Sequence, residues 1–130
     1  MKSFITIVLI SFLCINCSKT QEVKTITTLE LKELLDNKNI QLLDVRTPEE
    51  VEAGFIKTAI FANYFEDDFV IKSSKILDKK KPVYIYCRSG NRSGKAAELL
   101  SVRSFDVINV VGGYNQWKKE NIKWINQKLK

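Results

Sequence analysis

Cys87 is followed by Arg88, Ser89, Gly90, Asn91 and Arg92, and then by Ser93 and Gly94. An apolar run leads into this stretch and a helix-like pattern leaves it. A glycine inside such a turn lets the backbone curl, so that several N–H groups converge on one point. The start of a helix adds partial positive charge, and the two arginines add permanent charge. All three influences favour a thiolate, which is the nucleophilic form of cysteine. The cup is electropositive and concave, so an anionic substrate or intermediate is expected in it. Four residues separate Cys87 from Arg92, one fewer than in the Cys-x5-Arg loop that seats a phosphate. A smaller cup suits one sulfur atom carried on the thiolate as a persulfide, with the arginines placing an incoming oxyanion such as thiosulfate.

The remaining composition narrows the chemistry. The chain has 130 residues and no histidine, which removes both the commonest general base and the commonest metal ligand. No metal or cofactor is called for. Charged residues make up 28% and hydrophobic residues 45%, the balance of one globular domain with a real core. The net charge is +6, but the lysines are scattered apart from residues 79–81 and the C-terminal end. That distribution reads as a solvated surface and not as a nucleic-acid site.

Lys2 precedes twelve mostly apolar residues, Phe4 to Ile15. As a helix they would span about 18 Å, too short for a bilayer core, and they have the charged start and apolar centre of a secretory signal. The segment ends in Cys14-Ile15-Asn16-Cys17, which resembles a bacterial lipoprotein signal with Cys17 as the lipid-bearing first residue of the mature chain. Residues 1–16 are therefore expected to be a signal peptide and 17–25 a lipid-bearing tether. The chain would be exported and anchored to a membrane facing the periplasm or cell exterior. Of the three cysteines, Cys87 would then be the single thiol of the mature protein.

The elements that position the thiol follow from periodicity. Residues 28–37 fit an amphipathic helix opened by Thr27 or Thr28, and 40–45 a buried strand ending at Asp44. Thr47, Pro48 and two glutamates open a short helix over 47–54, with Gly54 as its stop. A strand over 58–62 precedes a helix over 66–78 with Phe69, Ile76 and Leu77 facing inward. The apolar run 82–86 reads as a central strand covered on both faces. Residues 93–104 read as a helix, 107–111 as another buried strand, and Gly112-Gly113 as the turn before a last helix carrying Trp117 in the core. Alternating strands and helices imply an α/β layered domain with a mostly parallel sheet of about five strands.

The stretches 42–60, 83–100 and 107–117 together resemble the single-domain rhodaneses, the thiosulfate sulfurtransferases. The residues "CRSGNRS" after an apolar strand are the most specific part, supported by "DVRTPEE" and "GGYNQW". The resemblance implies a three-layer rhodanese-like domain over 26–130. It also implies a double-displacement sulfurtransferase, with a small anionic sulfur donor and a thiol or cyanide acceptor. On matching positions, Cys87 resembles the nucleophile, and Arg88, Ser89, Gly90, Asn91 and Arg92 the loop whose amides surround the persulfide. The arginine side chains are the candidates for thiosulfate binding. Ser93 is read as the cap of the following helix, its hydroxyl also able to approach the sulfur. Asp44, Arg46 and Glu50 match a supporting element in which Arg46 is expected to pair with Glu50. Where the family commonly has "GHIPGA" this chain has "GFIKTA", with Phe55 in place of the histidine and Lys57-Thr58 in place of the Pro-Gly turn. Two rivals stand beside sulfur transfer. One is a non-catalytic sulfur-carrier or binding module docking on an envelope protein; the other is a cysteine phosphatase or arsenate reductase, which the short loop disfavours.

Overall fold

The computed structural model describes residues 21–120 and 125–126. Along the chain these form β1 (Lys24–Ile26), α1 (Thr28–Asn37), β2 (Gln41–Asp44), α2 (Pro48–Glu52), β3 (Phe55–Ile56) and β4 (Ile60–Phe61). Then follow α3 (Phe69–Ile76), β5 (Val83–Tyr86), α4 (Asn91–Ser101), β6 (Val107–Val110), α5 (Gly113–Lys119) and β7 (Ile125–Asn126). Five strands make one sheet in the order β1-β6-β5-β2-β4, and every pairing in it is parallel. β3 and β7 form a separate antiparallel pair. The α/β layered expectation therefore holds, with helices on both faces of a parallel sheet.

Two-residue alternation divides the strands between two cores. Leu43, Val83, Ile85 and Val107 point to one face, where they meet Ala96, Ala97 and Leu100 of α4 and Phe69 of α3. Leu42, Tyr86 and Val110 point to the other, against Leu31 of α1 and Tyr114 and Trp117 of α5. Each fully buried aliphatic side chain contributes about 2 kcal/mol by its removal from water. The small alanines of α4 let that helix lie close on the sheet, which matters because its first turn carries the reactive loop.

The helix starts are set by local chemistry. Thr27 and Glu30 form a capping box at α1, and Thr47 and Glu50 form another at α2, with Pro48 at its first position. Four expectations are corrected. Residues 24–26 are a sheet strand paired with β6, so the tether reading of 17–25 extended too far; a three-residue edge strand carries too little periodicity to be read. The segment over 58–62 keeps only Ile60–Phe61 as strand, paired with β2, while Phe55–Ile56 pair elsewhere. Ile76 is 48% exposed, because the buried stripe of the helix runs through Phe69, Ser73 and Leu77 and Ile76 lies at its edge; Phe69 and Leu77 are buried as expected. α4 starts at Asn91, two residues before the expected Ser93. The expected signal segment, with Cys14 and Cys17, lies outside the described residues.

Candidate active site

Topology selects the place. From β2 the chain passes to β4 on one side, whereas from β5 it passes to β6 on the other. Oppositely directed connections open a crevice at the carboxyl ends of neighbouring strands, where ligands of parallel sheets gather. Asp44 and Tyr86 are paired there in register, as the last residues of β2 and β5. Cys87 is the next residue after Tyr86.

The Cys87 side chain is 1% exposed and sits inside its own loop. The Gly90 amide donates to Sγ at 3.1 Å and the Ser93 hydroxyl donates at 3.3 Å. Burial pushes the Cys87 thiol up, but the Ser93 hydroxyl and the amides of Ser93, Ser89 and Gly90 favour the thiolate more. The balance holds the thiol below its ordinary value. Gly90 has φ +102°, a conformation that L side chains rarely adopt, and this turn aims its N–H inward. Ser93 does not cap α4; Gly90 occupies the cap position, so the Ser93 hydroxyl is left to serve the sulfur.

The loop is held from outside by α5 and β6. The Tyr114 amide donates to the Cys87 carbonyl at 2.9 Å, and the Asn115 amide donates to the Arg88 carbonyl at 3.0 Å. Asn109 Nδ2 donates to the Gly90 carbonyl at 3.2 Å. A Cβ on Gly113 would stand 2.5 Å from the Cys87 carbonyl oxygen, so this close approach requires glycine. Gly94 lies beside Asn109, with room for ordinary contact only.

Beneath the loop is a buried polar network. Arg46 forks onto the Asp44 carboxylate, with its Nη2 at 2.7 Å, and also donates to the Gly54 carbonyl. Tyr86 donates its hydroxyl to Asp44 at 2.6 Å and accepts from the Ile56 amide. The Arg46 guanidinium lies 4.1 Å from the Tyr114 ring centre and 5.5 Å from that of Tyr86. Burial disfavours the Arg46 charge, yet the Asp44 bonds outweigh it and hold its pKa above the ordinary value. Burial raises the Tyr86 hydroxyl well above its ordinary range, with Asp44 adding to the effect.

The expected Arg46–Glu50 pair is replaced by two others. Arg46 takes Asp44, two residues away on the same turn, and reaches only the backbone carbonyl of Glu50. The Glu50 carboxylate instead grips Arg92 through two bonds of 2.7 Å. That bond, against a burial cost and with help from the Thr47 amide, lowers Glu50 to about 2. Arg92 is correspondingly raised, first by Glu50. Arg92 is therefore a clamped charge beside the cup. Arg88 and Ser89 are exposed, Asn91 is exposed at the start of α4, and Arg88 has no carboxylate partner among the described residues.

Phe55 stands edge-on to Phe61 with ring centres 5.0 Å apart, and both line a cleft of about 490 Å³ with Asn63 and Glu66. Phe65, 64% exposed, lies with its ring 5.3 Å from the Arg92 guanidinium. At the position of the "GHIPGA" histidine this chain thus carries one half of an aromatic pair.

The sequence profile of the rhodanese-like domain matches residues 27–120, the stretch from the α1 cap to the end of α5. The chain belongs to the rhodanese-like family. Among relatives, the protein YtwF of Bacillus subtilis is 35% identical over 100 residues, covering 76% of this chain and 94% of that one. The thiosulfate sulfurtransferase GlpE of Coxiella burnetii is 32% identical over 96 residues, covering 73% and 87%. The crystal structure of a rhodanese-like domain protein from Staphylococcus aureus superposes with a TM-score of 0.71 at 34% identity, over 82% of this chain and all of that one. Membership of this rhodanese-like family supports sulfur transfer as the general class of chemistry.

Tyr86, Tyr114, Asn109 and Gly113 were not singled out by the sequence as site residues. Asn109 had one visible signal, a polar residue inside an apolar strand run. The tyrosines had none, because a strand-end tyrosine and a helix tyrosine are ordinary core residues until the fold places them around Arg46.

Proposed function

We propose that the protein is a sulfurtransferase that carries a sulfane sulfur on Cys87 as a persulfide. The observation that supports this reading is the Cys87 sulfur held beneath the Gly90 amide and the Ser93 hydroxyl at the crevice between β2 and β5. In the first half-reaction the Cys87 thiolate attacks the outer sulfur of thiosulfate. The S–S bond of the donor breaks, its electron pair leaves with sulfite, and a Cys87 persulfide remains. In the second half-reaction a thiolate or cyanide attacks the terminal sulfur of the persulfide. The Cys87–sulfur bond breaks, its electron pair returns to the Cys87 thiolate, and the acceptor leaves with the sulfur.

The roles follow from where charge resides. Donors that favour the thiolate also favour the persulfide anion, which is better bound where fixed amides replace water. Arg88 is the arginine free to meet the sulfonate group of the donor, while Arg92, clamped by Glu50, adds its positive charge without leaving its place. No general base is needed, because the nucleophile is already favoured as its anion.

Intact mass after incubation with thiosulfate tests the reading. The folded protein should gain one sulfur atom, lose it to cyanide, and fail to gain it as Cys87→Ser. A free, folded Cys87 that takes up no sulfur would refute it. We also propose that the chain is exported and held at a membrane by lipid on Cys17. The support is the sequence of residues 2–17, and the mass of detergent-extracted protein would show the added lipid or its absence.

A further inference from the structure

A second cleft, of about 260 Å³, shares Arg46 with the first and is lined by Glu50, Arg88, Tyr114, Asn115 and Lys118. It meets the reactive loop at Arg88, and α2 at Glu50. Arg88 is the residue after Cys87, and Glu50 is the clamp on Arg92. Its charges do not balance. The Arg46 charge is met by Asp44, and the Glu50 charge by Arg92. Arg88 and Lys118 have no carboxylate partner among the described residues; Lys118 has only the Tyr114 ring, 5.3 Å from its Nζ. Two exposed cations therefore line one small cleft with an aromatic wall, one of them the residue that follows Cys87.

We propose that this cleft binds the acceptor, and that the acceptor is a small thiol carrying carboxylates, whose anionic groups meet Lys118 and Arg88 while its sulfur reaches toward Cys87. The inference rests on the sulfurtransferase reading and specifies its second half-reaction. Donor and acceptor need not compete for Arg88, because sulfite departs before the acceptor arrives in a double displacement. Lys118 lies on α5, outside the loop, and so distinguishes acceptor binding from sulfur loading. The thiolate attacks the terminal persulfide sulfur, that sulfur leaves bonded to the acceptor, and the electron pair of the broken bond returns to Cys87. No oxidant or reductant beyond the thiol is required.

The probes are mercaptosuccinate, a dicarboxylate thiol, and 2-mercaptoethanol, which is uncharged apart from its sulfur. Cys87 is first loaded with thiosulfate and the added sulfur is verified by mass. Unloading is then followed at low salt with each thiol, for the native chain, Lys118→Met and Lys118→Glu. Comparing each thiol with itself across variants cancels its intrinsic nucleophilicity. Reversing one exposed charge should lower the second-order rate constant for mercaptosuccinate about tenfold, and Lys118→Met by about threefold. The 2-mercaptoethanol rates should stay level, and high salt should erase the mercaptosuccinate difference. Equal losses for both thiols, or no loss for either, would overturn the acceptor site. Lys118→Met removes the charge but keeps an unbranched side chain, so a folding defect in Lys118→Glu would not obscure the outcome. Failure of Cys87 to load at all would instead overturn the sulfurtransferase reading, before Lys118 is tested.

Discussion

The Glu50–Arg92 clamp should reveal itself as a pH-dependent part of the stability. Replacing Glu50 by Gln removes the charge while keeping a side chain that can still accept from the Thr47 amide, so the change isolates the ion pair. The carboxylate is lowered from 4.5 to about 2, first by the Arg92 bonds against the cost of burial. A shift of that size corresponds to about 3 kcal/mol at most. The Glu50 side chain is 26% exposed, so solvent screening reduces the expected contribution to about 1–2 kcal/mol. The sign is that of a depressed carboxylate. The stabilisation is fully present above the ordinary value of 4.5 and is lost as pH falls toward 2. Urea denaturation of the native chain and Glu50→Gln at pH 7 and pH 3 measures it. The variant should be less stable at pH 7, and less than half of that gap should remain at pH 3. An equal gap at both pH values would refute the clamp, because a purely steric defect does not titrate.

Ser93→Ala should raise the Cys87 pKa, since it removes the Ser93 hydroxyl that donates to the thiolate. The alkylation rate of the thiol by iodoacetamide against pH would show the shifted midpoint, and an unchanged midpoint would dismiss the Ser93 hydroxyl as a donor. Gly113→Ala should destabilise the domain by about 2–4 kcal/mol, because its Cβ would press on the Cys87 carbonyl oxygen and Arg88 backbone in a left-handed turn. Denaturant unfolding checks it, and a loss within ±0.5 kcal/mol would contradict the close approach. Tyr86→Phe should cost about 1–3 kcal/mol by leaving Asp44 short of a donor and the Ile56 amide without its acceptor. A stability unchanged by the missing hydroxyl would mean that this network is not as described.

The major elements were legible because each carries a local signal. Thr27 and Thr47 each precede a glutamate at capping-box spacing, and the run 82–86 is too apolar for anything but a central strand. The Cys87 loop was legible for the same reason, as its glycine, arginines and helix start are neighbours in sequence. Pairing was not. Arg46 and Glu50 are spaced as partners, but Asp44 is nearer to the guanidinium once β2 ends, and Arg92 reaches Glu50 only because the sheet places the two loops side by side. The third dimension likewise decides Ser93, since a serine at a helix start looks like a cap until Gly90 takes that position. β1 was illegible for want of length, and Ile76 because the buried stripe of α3 runs through Phe69, Ser73 and Leu77 and leaves Ile76 at its margin.

The ties from Tyr114 and Asn115 to the Cys87 and Arg88 carbonyls have a consequence for the order in which the protein is made. Synthesis delivers the cysteine first, and the segments that fix its loop, Asn109 and then the start of α5, emerge later. A nascent chain ending before residue 109 thus carries this thiol on a loop without any of these outer supports. The loop is fully supported only once the start of α5 has followed it and docked.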